Sequence, residues 1–282
     1  MNNNQNKFID YCKKFIKEQD AEKSFLLLND ICELIIKAKN TSEIEEIIHL
    51  IDRELLVKKA AEIDLNEEIK NAKEYLKYKS TETIPYAWSF QDYYNREVDF
   101  ILKNIPKGKL PNRISIVGQG AMPSLAEAFR RKYPIVSFDF YDIDFRVYAL
   151  SKLSLREKHS EHDQYDRFYC KSASEIECFD SELVIVSNAV IDYLNIDSLR
   201  KSPSIFIRSS TPAGSTVYPR LDPVKITNEG YNCQTETDPV YGIHEWYLFT
   251  KPQEGKIGKE KSDATSTIFE DKKPPMERRF SI

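Results

Sequence analysis

The stretch ISIVGQGAMPSLAEAFRRKYPIVSFDFYDID, Ile114 to Asp144, constrains the fold more than any other: an apolar strand, a glycine turn, a helix, then a second strand ending in acids. Two strands joined through a helix run parallel, and a parallel sheet is covered by helices on both faces. The pattern continues downstream. Candidate strands are Ile114 to Val117, Ile135 to Phe140, Phe168 to Cys170, Leu183 to Ser187, Ser204 to Ser209, Asn232 to Glu236 and His244 to Thr250. Helical spacing separates the earlier ones at Pro123 to Lys132, Phe145 to Glu157 and Asp192 to Lys201. The reading is α/β: a mostly parallel, seven-stranded sheet closed by an antiparallel pair.

The first 84 residues have a different texture. All eight glycines fall at Gly108 or later and the first proline is Pro85, so this part lacks the strongest structure breakers. Phe8, Cys12, Phe15 and Ile16 follow helical spacing; Ile44, Ile47, Ile48 and Ile51 repeat it behind a Ser42 cap with Glu45 three residues later. Residues 1–84 are therefore expected to form an all-α bundle, 85–252 a Rossmann-like domain, and the polar, charged 253–282 a disordered tail.

The net charge of -4, from 41 basic and 45 acidic residues, argues against a nucleic-acid footprint or a basic membrane surface. No apolar run approaches the roughly 20 residues of a membrane span, and the start MNNNQNKF has no signal-peptide pattern, so the chain reads as cytoplasmic. Its partner is expected to be small, and a homodimer is compatible with the sequence. Five scattered cysteines without a CxxC pair read as free, mostly buried thiols. His159 and His162 beside Glu161 and Asp163 have metal-clamp spacing only if helical; in so polar a segment no metal is assigned.

Gly118 and Gly120 let a ligand approach the backbone after the first strand. Pro123 stands where a dinucleotide fingerprint requires Gly or Ala, so a pyrophosphate is poorly supported. Asp142, about 20 residues on, suits a ribose diol, with Asp139 and Asp144 as competitors. A cradle for adenosine without pyrophosphate suggests S-adenosylmethionine, whose sulfonium favours aromatic and acidic surroundings. The aromatic segment IPYAWSFQDYYNREVDF, Ile84 to Phe100, lies just before the cradle.

Several pieces together resemble the nicotianamine synthase family, including bacterial members that make staphylopine-type metallophores. GQGAMP resembles that family's GSGPLP or GSGALP turn, FDFYDID its FDNYDID, and IPYAWSF its FPYYSNY. IFIRSSTPAGSTVYPRLDP, Ile205 to Pro223, is similar to VVRSAHGARGFLYPVVDP. The resemblance spans about Ile84 to Lys251 in collinear order. It implies a class I methyltransferase-like fold that moves the 3-amino-3-carboxypropyl group of S-adenosylmethionine to an amine or amino acid and releases methylthioadenosine. Carried over by position, Gly118, Gly120, Asp142 and neighbouring Ile143 hold the cofactor, Ser172 or Ala173 neighbours the adenine, and Ser187 and Asn188 border the sulfonium arm. Arg208, Ser209 and Tyr218 fall on the substrate side, with Arg208 suited to a carboxylate. Tyr86 matches the catalytic tyrosine. The family's basic glutamate has no ungapped match: Asn71-Ala72-Lys73 stands there, with Glu74 one residue late and Glu68 or Glu67 reachable through a gap. Ordinary methyl transfer, a binding protein without turnover and, more weakly, a nicotinamide-dependent reductase are the competing readings.

Overall fold

A chain segment without glycine or proline, carrying apolar residues at helical spacing, packs as helices, and the N-terminal part does so. The computed structural model describes residues 3–38, 42–78, 85–106, 110–158, 164–240 and 242–252; the side chains of 42, 85–90 and 158 are not among them. Helices α1 (Asn3–Lys17), α2 (Ala21–Lys37), α3 (Ser42–Glu45) and α4 (Arg53–Tyr78) come first. Phe8, Cys12 and Phe15 of α1 and Leu28, Ile31 and Ile35 of α2 are buried together, each large side chain contributing about 1.5–3 kcal/mol. Asp20 caps α2, its carboxylate accepting the Lys23 N–H at 2.9 Å.

The isoleucine ladder departs from expectation. Ile44, Ile47 and Ile51 are buried, but α3 ends at Glu45 and a 3-10 turn covers Ile48–Leu50. Asp52 accepts the Leu55 N–H at the head of α4, so the chain turns there and the ladder is spent in short turns.

Helix α5 (Pro85–Asn104) opens on a proline, whose missing N–H costs nothing in a first turn. It leads into β1 (Arg113–Val117), α6 (Ser124–Lys132), β2 (Ser137–Asp142), α7 (Phe145–Lys158), β3 (Arg167–Cys170), β4 (Leu183–Val186), β5 (Ser204–Ser210), α8 (Val224–Thr227), β6 (Asn232–Thr237) and β7 (His244–Thr250). The seven strands are ordered β3-β2-β1-β4-β5-β7-β6. The first five are parallel, while β7 runs antiparallel to β5 and β6. Central strands such as β4 are buried along their length, as a sheet covered on both sides requires. The edge strand β6 is exposed throughout, and its Asn, Gln, Thr and Glu side chains suit a solvated edge.

The segment Asp192 to Lys201 was expected to be helical. One 3-10 turn, Asn188–Tyr193, ends in it and a second, Ile196–Leu199, lies within it. The Asn195 side chain accepts the Asp197 N–H at 3.1 Å, and such a local bond competes with a continuous helix. The cysteines also differ from expectation: Cys12 is buried and Cys32 half-buried, but Cys170, Cys178 and Cys233 are exposed.

Residues 1–252 form one compact unit. The core around α1, α2 and α4 takes in Ala213, Val217 and Ile243 from the loops beyond β5 and before β7, so the N-terminal helices pack onto the carboxyl end of the sheet. Residues 253–282, where a tail was expected, lie outside the described residues, as do His159 and His162. No helix among the described residues is long and apolar enough to cross a membrane.

Candidate functional site

The strand order reverses between β1 and β4, which opens a crevice at their carboxyl ends, where open α/β sheets bind ligands. A cavity of about 580 Å³ fills this crevice, roofed by α4 and α5. The turn after β1 sets its floor. Gly118 and Gly120 both have φ above +70° (71° and 74°), which side-chain-bearing residues rarely adopt. A Cβ at Gly118 would meet Val190 at 2.8 Å, and one at Gly120 would lie 2.2 Å from the Glu68 carboxylate.

Glu68 comes from α4 and accepts the Ala121 N–H at 3.1 Å. The anion at this turn is thus the chain's own carboxylate, which fits the sequence argument against a pyrophosphate there. Burial, opposed by that N–H, raises Glu68 to a pKa of about 7, with Asp64 and Asp142 adding to the rise. Asp64, one helical turn earlier, is raised to about 7 by burial despite a hydrogen bond from the Tyr218 side chain. Both carboxylates line the cavity.

The three acids of FDFYDID separate by environment. Asp139 is buried and bound by Arg113 at 2.7 Å and Arg167 at 2.7 and 2.8 Å, so it ties strands together. Asp144 accepts the Arg146 N–H at 2.8 Å at the head of α7 and pairs with the Arg146 side chain. Asp142 stands at the cavity wall, accepts the Asp144 N–H at 3.0 Å, and bonds the backbone of Gly120 and Ile143. Its pKa is raised by burial, which those backbone bonds oppose.

Ile143 is 70% exposed at the rim. Ser172 and Ala173, after β3, line the same cavity where Ser172 and Glu175 form a capping box. Ser187 and Asn188, after β4, face it from the other side of the turn, their side chains bonded at 3.2 Å.

Arg208, on β5, lines the cavity but is already paired. Its Nε and Nη2 donate to the two Glu97 oxygens at 2.6 Å each, and Glu97 is wholly buried. Tyr93 and Tyr94 set their rings 5.4 and 5.1 Å from the guanidinium. Burial works against the Arg208 charge, but Glu97 outweighs it and holds the group above its usual range. Ser209 does not line the cavity; its buried hydroxyl accepts the Leu221 N–H at 2.8 Å and holds the return of the YPRLDP segment. Tyr218 does line it.

Glu74 stands apart from the lining. It lies six residues past Glu68 on α4, about 9 Å along the axis and roughly a third of a turn round it. Tyr86 belongs to α5, but its side chain is outside the described residues. Asp64, Glu97 and His244 carried no assigned role in the sequence, whereas Glu68 was among the glutamates open for the base. The signal for Asp64 and Glu68 was their i,i+4 spacing beside Leu65 on a helix whose neighbouring stripe, Ala60, Ile63 and Ala72, is apolar.

No family model and no curated protein matches the sequence. Solved structures do match. The nicotianamine synthase MtNAS, in complex with MTA and tNA, aligns at a TM-score of 0.65 and 14% identity, over 90% of this chain and 100% of that one. A glutamate-to-glutamine variant of MtNAS in complex with S-adenosylmethionine aligns at 0.63 and 13%, over 89% and 100%. The matches cover about nine-tenths of this chain and the whole of the other, so the chain shares the fold of that structure.

Proposed function

We propose that the protein transfers the 3-amino-3-carboxypropyl group of S-adenosylmethionine to an amine, releasing methylthioadenosine, in the synthesis of a metallophore or its precursor. The observation that carries this reading is Glu68. A helix outside the sheet inserts a carboxylate at the glycine turn, and its pKa of about 7 matches the task of a general base near neutrality.

The cradle suits the cofactor. The turn at Gly118 and Gly120 sets the floor of the cavity, Asp142 offers its carboxylate to the ribose hydroxyls with Ile143 at the rim, Ser172 and Ala173 border the adenine, and Ser187 and Asn188 flank the sulfonium arm. In the transfer the acceptor nitrogen attacks the γ-carbon, the C–S bond breaks, and its electron pair stays on sulfur as the neutral thioether. Glu68 takes the proton the nitrogen sheds. The roof of α4 and α5 sets which carbon the nitrogen reaches, and a distance of about 3–3.5 Å in line with the breaking bond is what positioning must supply. The role expected of Glu74 passes to Glu68. Tyr218, bonded to Asp64, and Arg208, locked by Glu97, shape the acceptor end.

Carbon labelling tests the reading. Label in the carboxyl carbon of S-adenosylmethionine is expected on the acceptor, and methyl label on the released nucleoside. Methyl label on the acceptor would assign the fold to ordinary methyl transfer.

A further inference from the structure

The acceptor end of the cavity is chemically one-sided. Asp64 and Glu68 face it from one helix, a turn apart. The Tyr218 side chain bonds Asp64, and its ring lies 5.2 Å from the His244 imidazole. Burial, helped by Arg208, keeps that imidazole neutral, with its pKa lowered to about 3. A neutral imidazole offers one acceptor nitrogen. His244 hydrogen-bonds the backbone at Ser209, yet its Nδ1 is buried with no hydrogen-bond partner.

The cations do not balance this. Arg208 and Lys171 are the cationic side chains of the lining among the described residues. Arg208 has two arms of its fork bound to Glu97. Lys171 follows β3, its backbone N–H bonded to the Asp142 carbonyl at 2.9 Å, which puts it at the ribose end. An acceptor held by its own carboxylate would bring a third negative group to Asp64 and Glu68, with Arg208 already engaged. An acceptor with a second amino group meets two carboxylates and an unpaired imidazole nitrogen.

We infer that the acceptor is a diamine or diamino acid, one nitrogen set at Glu68 to be alkylated and the other held as an ammonium between Asp64 and His244 Nδ1. The assignment of Glu68 to the reacting nitrogen rests on the transfer proposed above; the ammonium site rests on Asp64, Tyr218 and His244 and is testable by binding alone. Only the Glu68-side nitrogen changes its bonds. The second ammonium keeps its protons and fixes the orientation.

The test is calorimetric titration of the full chain, with and without methylthioadenosine, using putrescine against butylamine and ornithine against norvaline. Each diamino probe is expected to bind about tenfold or more tightly than its mono-amino partner, as one extra charge-assisted hydrogen bond provides. Asp64→Asn, which keeps a side chain able to bond Tyr218, is expected to bring the ratio down to about twofold. His244→Phe, which keeps a packed ring and removes Nδ1, tests the same ratio independently. Equal binding within each pair, tighter binding of norvaline than ornithine, or a ratio untouched by both variants would overturn the inference. The two readings fail separately: diamine preference without any label transfer removes the transfer and leaves the ammonium site, whereas equal transfer to norvaline and ornithine removes the ammonium site and leaves the transfer.

Discussion

Replacing Glu68 by Gln isolates the charge of the half-buried carboxylate, because Gln keeps an oxygen that can accept the Ala121 N–H. The folded protein holds the Glu68 proton up to about pH 7, whereas a carboxyl at the ordinary value of 4.5 has released it. Unfolding therefore releases a proton throughout that window, and this group's contribution to stability falls as pH rises through it. The gap between 4.5 and about 7 corresponds to roughly 3 kcal/mol once both states are ionised. Urea unfolding at pH 8 is expected to show Glu68→Gln more stable than the wild type by about 2–3 kcal/mol, and at pH 5 by less than about 1. The same variant is expected to lose transfer activity while still binding S-adenosylmethionine. A variant no more stable than wild type at pH 8 would refute the reasoning, since Glu68 would then sit as an ordinary solvated carboxylate.

Other outcomes follow from the same geometry. Gly120→Ala forces a side chain into a φ of +74° and against Glu68, so it is expected to cost about 1–3 kcal/mol in denaturant unfolding and to remove activity with it. Glu97→Gln leaves Arg208 buried without its counter-ion and is expected to cost about 3–5 kcal/mol, with Glu97→Gln/Arg208→Met recovering a measurable part in a double-mutant cycle. Asp142→Asn is expected to weaken S-adenosylmethionine binding about tenfold or more by calorimetry, with little effect on acceptor binding. Glu74→Gln is expected to keep the transfer rate within about twofold of wild type, as befits a side chain away from the lining.

The sheet was legible because β1, β4 and β5 carry short apolar runs between turn residues, and β7 falls on His244 to Thr250 as read. Asp142 was legible as one of three acids, but the choice among them required the arginines: Asp139 is claimed by Arg113 and Arg167, Asp144 by Arg146, and those contacts cross 26, 28 and 2 residues. The pairing of Glu97 with Arg208 spans 111 residues and has no local signature. It also changes what Arg208 can do, since a residue expected to meet a substrate carboxylate meets one from its own chain. Glu68 was legible as one of three glutamates open for the base; on a helix, six residues separate it from Glu74 and turn it to a different face, so the choice between them required the placement of α4. The segment Asp192 to Lys201 misled because the Asn195 side chain satisfied the Asp197 N–H locally, which apolar spacing does not record.

The nucleoside product tests the central claim most directly. The wild-type protein, incubated with S-adenosylmethionine and ornithine or putrescine and followed by chromatography with mass detection, is expected to release methylthioadenosine, and Glu68→Gln to release none above background. Accumulation of S-adenosylhomocysteine in place of methylthioadenosine would contradict the account.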